Sequence, residues 1–298
     1  MSVVEKAIQK LRAERRPVGA PGEATAPAGT DLSAPKPETA PTRAGGGSRV
    51  RPPGIVLDRD ALRVAGLLPP DVEAGALARE YRKIKRPLVA RAIGRGVPRA
   101  PKGHLIMIAS AIPGEGKTFT ALNLALSLAI EKDVRVLLVD ADVVKPQLSR
   151  ELKLDRAAGL LDALRDPSID PESLVHPTDV PTLAFLPAGS GAAEATELLS
   201  STRMQEIAAA LAEPDGARIV VFDSPPLLQT TESVALSHVA GQIVVVVRAE
   251  STPQPILLDA LKVLGSHPAI SLVLNQSRGG SAAGYYYGYG EPQDTAGA

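Results

Sequence analysis

The run Ser110-Ala-Ile-Pro-Gly-Glu-Gly-Lys-Thr118 sets two glycines, a lysine and a hydroxyl between an apolar stretch, Leu105–Ala109, and a helix-forming one. Gly114 and Gly116 let the backbone curl so that successive N–H groups face inward, as phosphate oxygens require. A helix starting there adds partial positive charge at the same place. Lys117 is spaced to reach β- and γ-phosphates, and the Thr118 hydroxyl to ligate Mg²⁺. Every fixed position of G-x-x-x-x-G-K-[ST] is met except the first, where Ala111 stands. Two later apolar runs end in acids, Val139-Asp140-Ala-Asp142 and Val221-Phe222-Asp223-Ser-Pro-Pro226. Beside a phosphate loop, one carboxylate is needed for the magnesium shell, and another accepts or orients a proton from an attacking group.

Four of the five tyrosines, Tyr285, Tyr286, Tyr287 and Tyr289, crowd into five residues near the C-terminus; the fifth is Tyr81. Their hydroxyls on a Gly-flanked tail read as phosphate acceptors once a phosphate loop lies upstream. Without that loop they would read as an adhesive or disordered tail. A free tyrosine has a pKa of about 10, so a nearby carboxylate would have a task. The last apolar run ends near Asn275, and nine residues reach about 30 Å when extended. The tail therefore reaches the chain's own site or a neighbour's.

These groups need a scaffold that brings them together. Near-continuous apolar runs at 105–109, 134–139, 182–186, 219–222, 243–247 and 270–274 alternate with helical patterns at 118–130, 159–164, 196–211, 233–239 and 255–264. That alternation predicts an α/β fold, a mostly parallel sheet with helices on both faces. Strand C-termini then share one edge, where Asp140, Asp142 and Asp223 converge on the loop. The expected domain spans residues 104–276, followed by a tyrosine-rich tail over 277–298. Ahead of it come an amphipathic helix over residues 1–16 (Val3, Val4, Ala7, Ile8 and Leu11 on one side), a disordered Pro/Ala/Gly-rich linker over 17–74 and a basic helical segment over 75–103.

Bulk composition narrows the function further. There is no cysteine, so thiol chemistry and disulfides are excluded. The four histidines are scattered, which argues against a His-based metal or nucleophile cluster. No run approaches the ~20 apolar residues of a membrane span, and the N-terminus lacks a signal-peptide core, so a cytoplasmic location is expected. Zero net charge hides an asymmetry: residues 1–104 hold 20 Lys/Arg against 10 Asp/Glu, the remainder 13 against 23. Between Arg79 and Lys102 nine bases face only Glu80, a segment suited to an acidic partner surface, anionic lipid or nucleic acid, or simply a solvated face.

The loop 109–118, the strands ending Asp140-Ala-Asp142 and Asp223-Ser-Pro-Pro226, Leu186-Pro-Ala-Gly189, Glu197-Leu-Leu-Ser200 and the tyrosine tail together resemble the bacterial tyrosine kinases, P-loop NTPases that phosphorylate their own C-terminal tyrosines. The opening MSVVEKAIQKLRAE and Glu80–Leu88 resemble their exosortase-associated branch in exopolysaccharide loci. The resemblance implies ATP and Mg²⁺ as cofactors, with Pro113, Gly114, Glu115, Gly116, Lys117, Thr118, Phe119 and Asn275 around the nucleotide. It implies catalytic roles for Lys117, Asp140 and Asp142, with Asp140 activating the tyrosine or sitting on the metal. Thr118, Asp140 and Asp223 would hold Mg²⁺. The implied partner is a separate, membrane-anchored chain-length regulator, placing the protein peripherally at the inner membrane; no nucleic acid is implied. Two positions depart from the family pattern. Val144 stands where an Arg is usual. Of the family's self-assembly helix, Glu-x-x-Arg-x-x-Arg, alignment on Tyr81 leaves Arg79, Arg82 and Lys85 with the Glu missing, and a shift by one gives Glu80, Lys83 and Arg86 with Lys for the first Arg, while self-association stays an implied option. A partitioning-type ATPase switch would want a Lys at Ile112, and a non-catalytic ATP-binding scaffold is the other alternative.

Overall fold

Strand β1, Leu105–Ser110, is buried at every position, and its alternate residues feed two different cores. In this computed structural model, which describes residues 52–212 and 218–277, it lies inside a seven-stranded sheet. The other strands are β2 (Arg135–Asp140), β3 (His176–Pro177), β4 (Leu183–Leu186), β5 (Arg218–Asp223), β6 (Gln242–Arg248) and β7 (Ile270–Asn275). Their order is β3-β4-β2-β5-β1-β6-β7, parallel throughout except for the antiparallel β3–β4 pair. The expected mostly parallel sheet is present, and it is covered on both faces because its strands carry apolar residues on both sides.

On one face lie α1 (Arg59–Val64), α2 (Asp71–Ile93) and α3 (Lys117–Leu128), packed on Ile106, Ile108, Val221 and Val244. The other face takes Leu105, Met107, Ala109 and Phe222 against α5 (Leu160–Arg165), α6 (Ala195–Ser200), α7 (Thr202–Leu211), α8 (Thr231–Ser237) and α9 (Gln254–Val263). A short helix, α4 (Gln147–Glu151), follows β2. Burial of such side chains stabilises by roughly 1.5–3 kcal/mol each, offset largely by chain entropy.

Three expectations need correction. The stretch taken as linker up to residue 74 contains α1 and the first turn of α2. Asp58 caps α1 by accepting from the Ala61 N–H at 3.0 Å, and Leu57, Leu62 and Leu67 are buried against the sheet-side helices. These three buried leucines hold a segment that Pro and Gly make look unstructured. The helix expected over 196–211 is two helices, because Ser201 is extended (φ −74°, ψ 159°) and its hydroxyl caps α7 at Met204. Finally, Lys85 is not a surface contact residue: it is buried, bonding Glu131 and the Ser127 carbonyl, each at 2.7 Å. Glu80, Lys83 and Arg86 are the exposed trio, with Glu80 and Lys83 paired at 2.9 Å. The amphipathic segment 1–16 and the tyrosine tail lie outside the described residues.

Candidate active site

The phosphate loop leaves β1 at Ser110 and enters α3 at Lys117, with no helix residue spare between loop and lysine. Gly114 (φ +80°) and Gly116 (φ +95°) take left-handed backbone, which a β-carbon resists. At Gly116 space is also lacking, since a Cβ there would collide with the Asn275 side chain. The buried Ala111 shows that the first loop position tolerates a methyl group in this chain. Pro113 and Gly114 are exposed, Gly116 and Phe119 half-buried, and Thr118 buried. Glu115 is only 1% exposed and bonds within the protein, so what it offers a phosphate is its backbone N–H.

Lys117 bridges to Asp142 Oδ2 at 2.9 Å and lies 3.4 Å from the Thr118 hydroxyl. Burial works against its charge, yet Asp223, Asp142 and Asp140 outweigh that and raise its pKa. The parallel register aligns Asp140 with Asp223 at the ends of adjacent strands β2 and β5, as expected from their sequence positions. Asp142 also accepts from the Lys145 N–H at 3.1 Å, shaping the turn after β2.

Asp140 and Asp223 are both fully buried. Burial, then repulsion from Asp223, raises Asp140 from 3.8 to about 7, against the pull of two hydrogen bonds from Ser149. Those bonds run to Oδ2 from the Ser149 N–H (2.7 Å) and hydroxyl (2.8 Å). Burial likewise raises Asp223 to about 6, although Lys117 and the nearby Thr118 hydroxyl lower it. Asp140 Oδ1 and both Asp223 oxygens have no hydrogen-bond partner. Buried carboxylate oxygens are costly unless something cationic meets them. The three orphaned oxygens beside Thr118 and Lys117 therefore fit a hydrated divalent cation. Among the described residues no three or more His, Cys, Asp or Glu side chains form a closed metal cluster. The free oxygens of Asp140 and Asp223 suit Mg²⁺, which keeps several waters and binds one or two carboxylates plus phosphate oxygens.

The structure thus gathers Lys117, Thr118, Asp140, Asp142, Asp223 and Asn275 at one edge of the sheet. Asn275 ends β7 and donates to the Glu115 carbonyl at 2.9 Å. Val144, at the usual Arg position, is exposed and brings no charge. Ser149 was missed, because nothing in its spacing marks it. Only the α4 turn after Pro146 brings it back to Asp140. Tyr81 is buried, and its pKa is pushed up to about 12 by that burial, with a bond from Thr120 opposing. It is out of reach as an acceptor.

A family model described as "AAA domain" matches residues 103–255. Among similar proteins, tyrosine-protein kinase YwqD of Bacillus subtilis is 36% identical over 162 residues, 54% of this chain and 66% of that one. The putative tyrosine-protein kinase EpsB of Ralstonia nicotianae is 37% identical over 163 residues, 54% of this chain and 21% of that much longer one. Among solved structures, the kinase domain of VpsO superposes with a TM-score of 0.55 at 27% identity, covering 69% of this chain and 98% of that domain. The chain spans only a fifth to two thirds of the length of these two sequence relatives.

Proposed function

We propose that this chain, which belongs to the AAA-domain family and within it to the bacterial tyrosine kinases, moves the γ-phosphoryl group of ATP onto tyrosines of its own tail, Tyr285, Tyr286, Tyr287 and Tyr289. The observation that carries the reading is Lys117 set among Asp142, Asp140 and Asp223 at the sheet edge where β7 ends, ten residues before the first acceptor.

In this scheme the loop N–H groups from Gly114 to Thr118 cradle the phosphates, and Lys117 neutralises charge on the transferring group. Mg²⁺, when bound, screens the β- and γ-phosphate oxygens; Thr118, Asp140 and Asp223 are the residues that would hold it. Asp142 keeps Lys117 aligned. Asp140 has one oxygen free, which serves either the metal or the incoming tyrosine proton; without metal it titrates at about 7. Ser149 fixes its other oxygen and so fixes its orientation.

The same reading places the protein beside a membrane-anchored chain-length regulator in exopolysaccharide export, in the exosortase-associated branch. Its exposed basic face on α2 and the amphipathic segment 1–16 are the docking candidates. Among the described residues no helix is long and apolar enough to cross a membrane.

The deciding experiment is mass spectrometry after incubation with Mg-ATP, comparing wild type with Lys117→Met. Phosphate on Tyr285–Tyr289 in wild type alone is the expected result. Its absence in both, even with the regulator's cytoplasmic segment added, would sink the kinase reading.

A further inference from the structure

We propose that Thr252, in the turn after β6, is a positioning residue that holds the phosphate loop in its receiving shape by restraining Glu115; the proposal rests on the nucleotide-binding part of the reading above. A carboxylate in the middle of a phosphate loop is an electrostatic liability, since like charges repel strongly where water is scarce. Here that carboxylate is buried and satisfied from two sides. One oxygen accepts the Ile112 N–H at 2.8 Å, closing the loop on itself. The other accepts the Thr252 hydroxyl, which in turn accepts the Arg248 N–H at 3.2 Å. Thr252 thus uses its donor and an acceptor together, and its orientation is fixed from the end of β6.

The backbone of the same glutamate is held separately. Asn275 donates to the Glu115 carbonyl, and the Asn275 carbonyl accepts the Ala249 N–H at 2.8 Å. One loop residue therefore ties together the loop, the β6–α9 turn and the end of β7. The backbone clasp fixes where Glu115 is; the Thr252 clasp fixes where its charge is. With the hydroxyl removed, a buried carboxylate oxygen loses a charge-assisted donor and must find water or turn toward the phosphates. Either outcome weakens ATP.

The test is titration calorimetry of Mg-ATP on the full chain. Thr252→Val should weaken binding by about tenfold. Thr252→Ser, which keeps the hydroxyl, should stay within about twofold of wild type. Adding Glu115→Gln to Thr252→Val should recover most of the loss, because a neutral amide does not repel phosphate. Unchanged affinity in Thr252→Val, or equal loss in the Ser and Val variants, would overturn the proposal. So would a failure of Glu115→Gln to rescue, since a purely structural defect is indifferent to the charge at 115. If Thr252→Val does not fold, Thr252→Ala against Thr252→Ser decides it: unchanged affinity in the Ala variant, or a loss beyond about twofold in the Ser variant, overturns the role. Wild-type binding of ATP without tyrosine phosphate would remove the kinase reading and leave this assignment intact.

Discussion

Replacing Asp140 with Asn removes a buried charge while keeping the side chain's shape. The carboxyl titrates at about 7 in the fold and at 3.8 ordinarily, mainly because it is buried and faces Asp223. An acid with a raised folded pKa stabilises the fold below its unfolded value and loses that contribution as pH climbs through the folded one. The window runs from about pH 4 to about pH 7. Three units at ~1.4 kcal/mol put the cost of the charged form on the order of 4 kcal/mol. The amide escapes that cost, and its oxygen can still accept from Ser149. Without nucleotide, Asp140→Asn should therefore melt above wild type at pH 8, by about 8–16 °C for a domain of this size. The gap should close toward pH 4. Tail phosphorylation should fall at least ~100-fold at the same time, because the carboxylate that takes the proton or the metal is gone. Thermal unfolding by circular dichroism of both proteins from pH 4 to 8 is the assay. Equal melting at pH 8, or a gap that does not change with pH, would refute the reasoning.

Gly116→Ala meets both a left-handed backbone and the Asn275 side chain, so ATP affinity by calorimetry should drop at least ~10-fold. Tyr81→Phe should leave total phosphotyrosine unchanged, since a buried hydroxyl titrating near 12 is no acceptor; phosphate found on Tyr81 by mass spectrometry would contradict this. Lys85→Ala should lower stability by about 1–2 kcal/mol in urea unfolding, by leaving the Ser127 carbonyl without its buried donor and Glu131 with Arg95 at 3.7 Å in place of Lys85. ATP affinity, measured in parallel, should not follow it.

The loop and the acids were legible in the chain because each is a local pattern whose meaning survives tertiary context. A strand, two glycines, Lys117 and Thr118 lie within fifteen residues, and apolar strands ending in Asp140 and Asp223 are forced to one edge by parallel register. What escaped was set by contacts between distant segments. Ser149 reaches Asp140 only through the α4 turn, and Thr252 reaches Glu115 across 137 positions. Neither has a spacing signature, and both are hydroxyl residues, the commonest surface filler. The two-residue β3 was too short for any period to show. The break at Ser201 was a different kind of miss: Ser-Ser-Thr ahead of an apolar run is an N-cap signal that could have been read. In residues 52–74, Pro and Gly content hid an element held by a few leucines and one Asp cap.

The two ends of the described chain are fastened to opposite rims of the sheet. On the β3 side, the Ile55 N–H donates to the Pro177 carbonyl, the Asp179 N–H to the Ile55 carbonyl, and His176 bonds the Pro53 carbonyl. On the other side β7 closes the sheet and releases the chain beyond Ser277. Six strand spacings separate the rims, about 29 Å. The described chain thus enters its sheet at one rim and leaves it at the other. A load applied at Pro53 is therefore borne by the β3 rim and one applied at Ser277 by the β7 rim, so the two attachments do not share a strand.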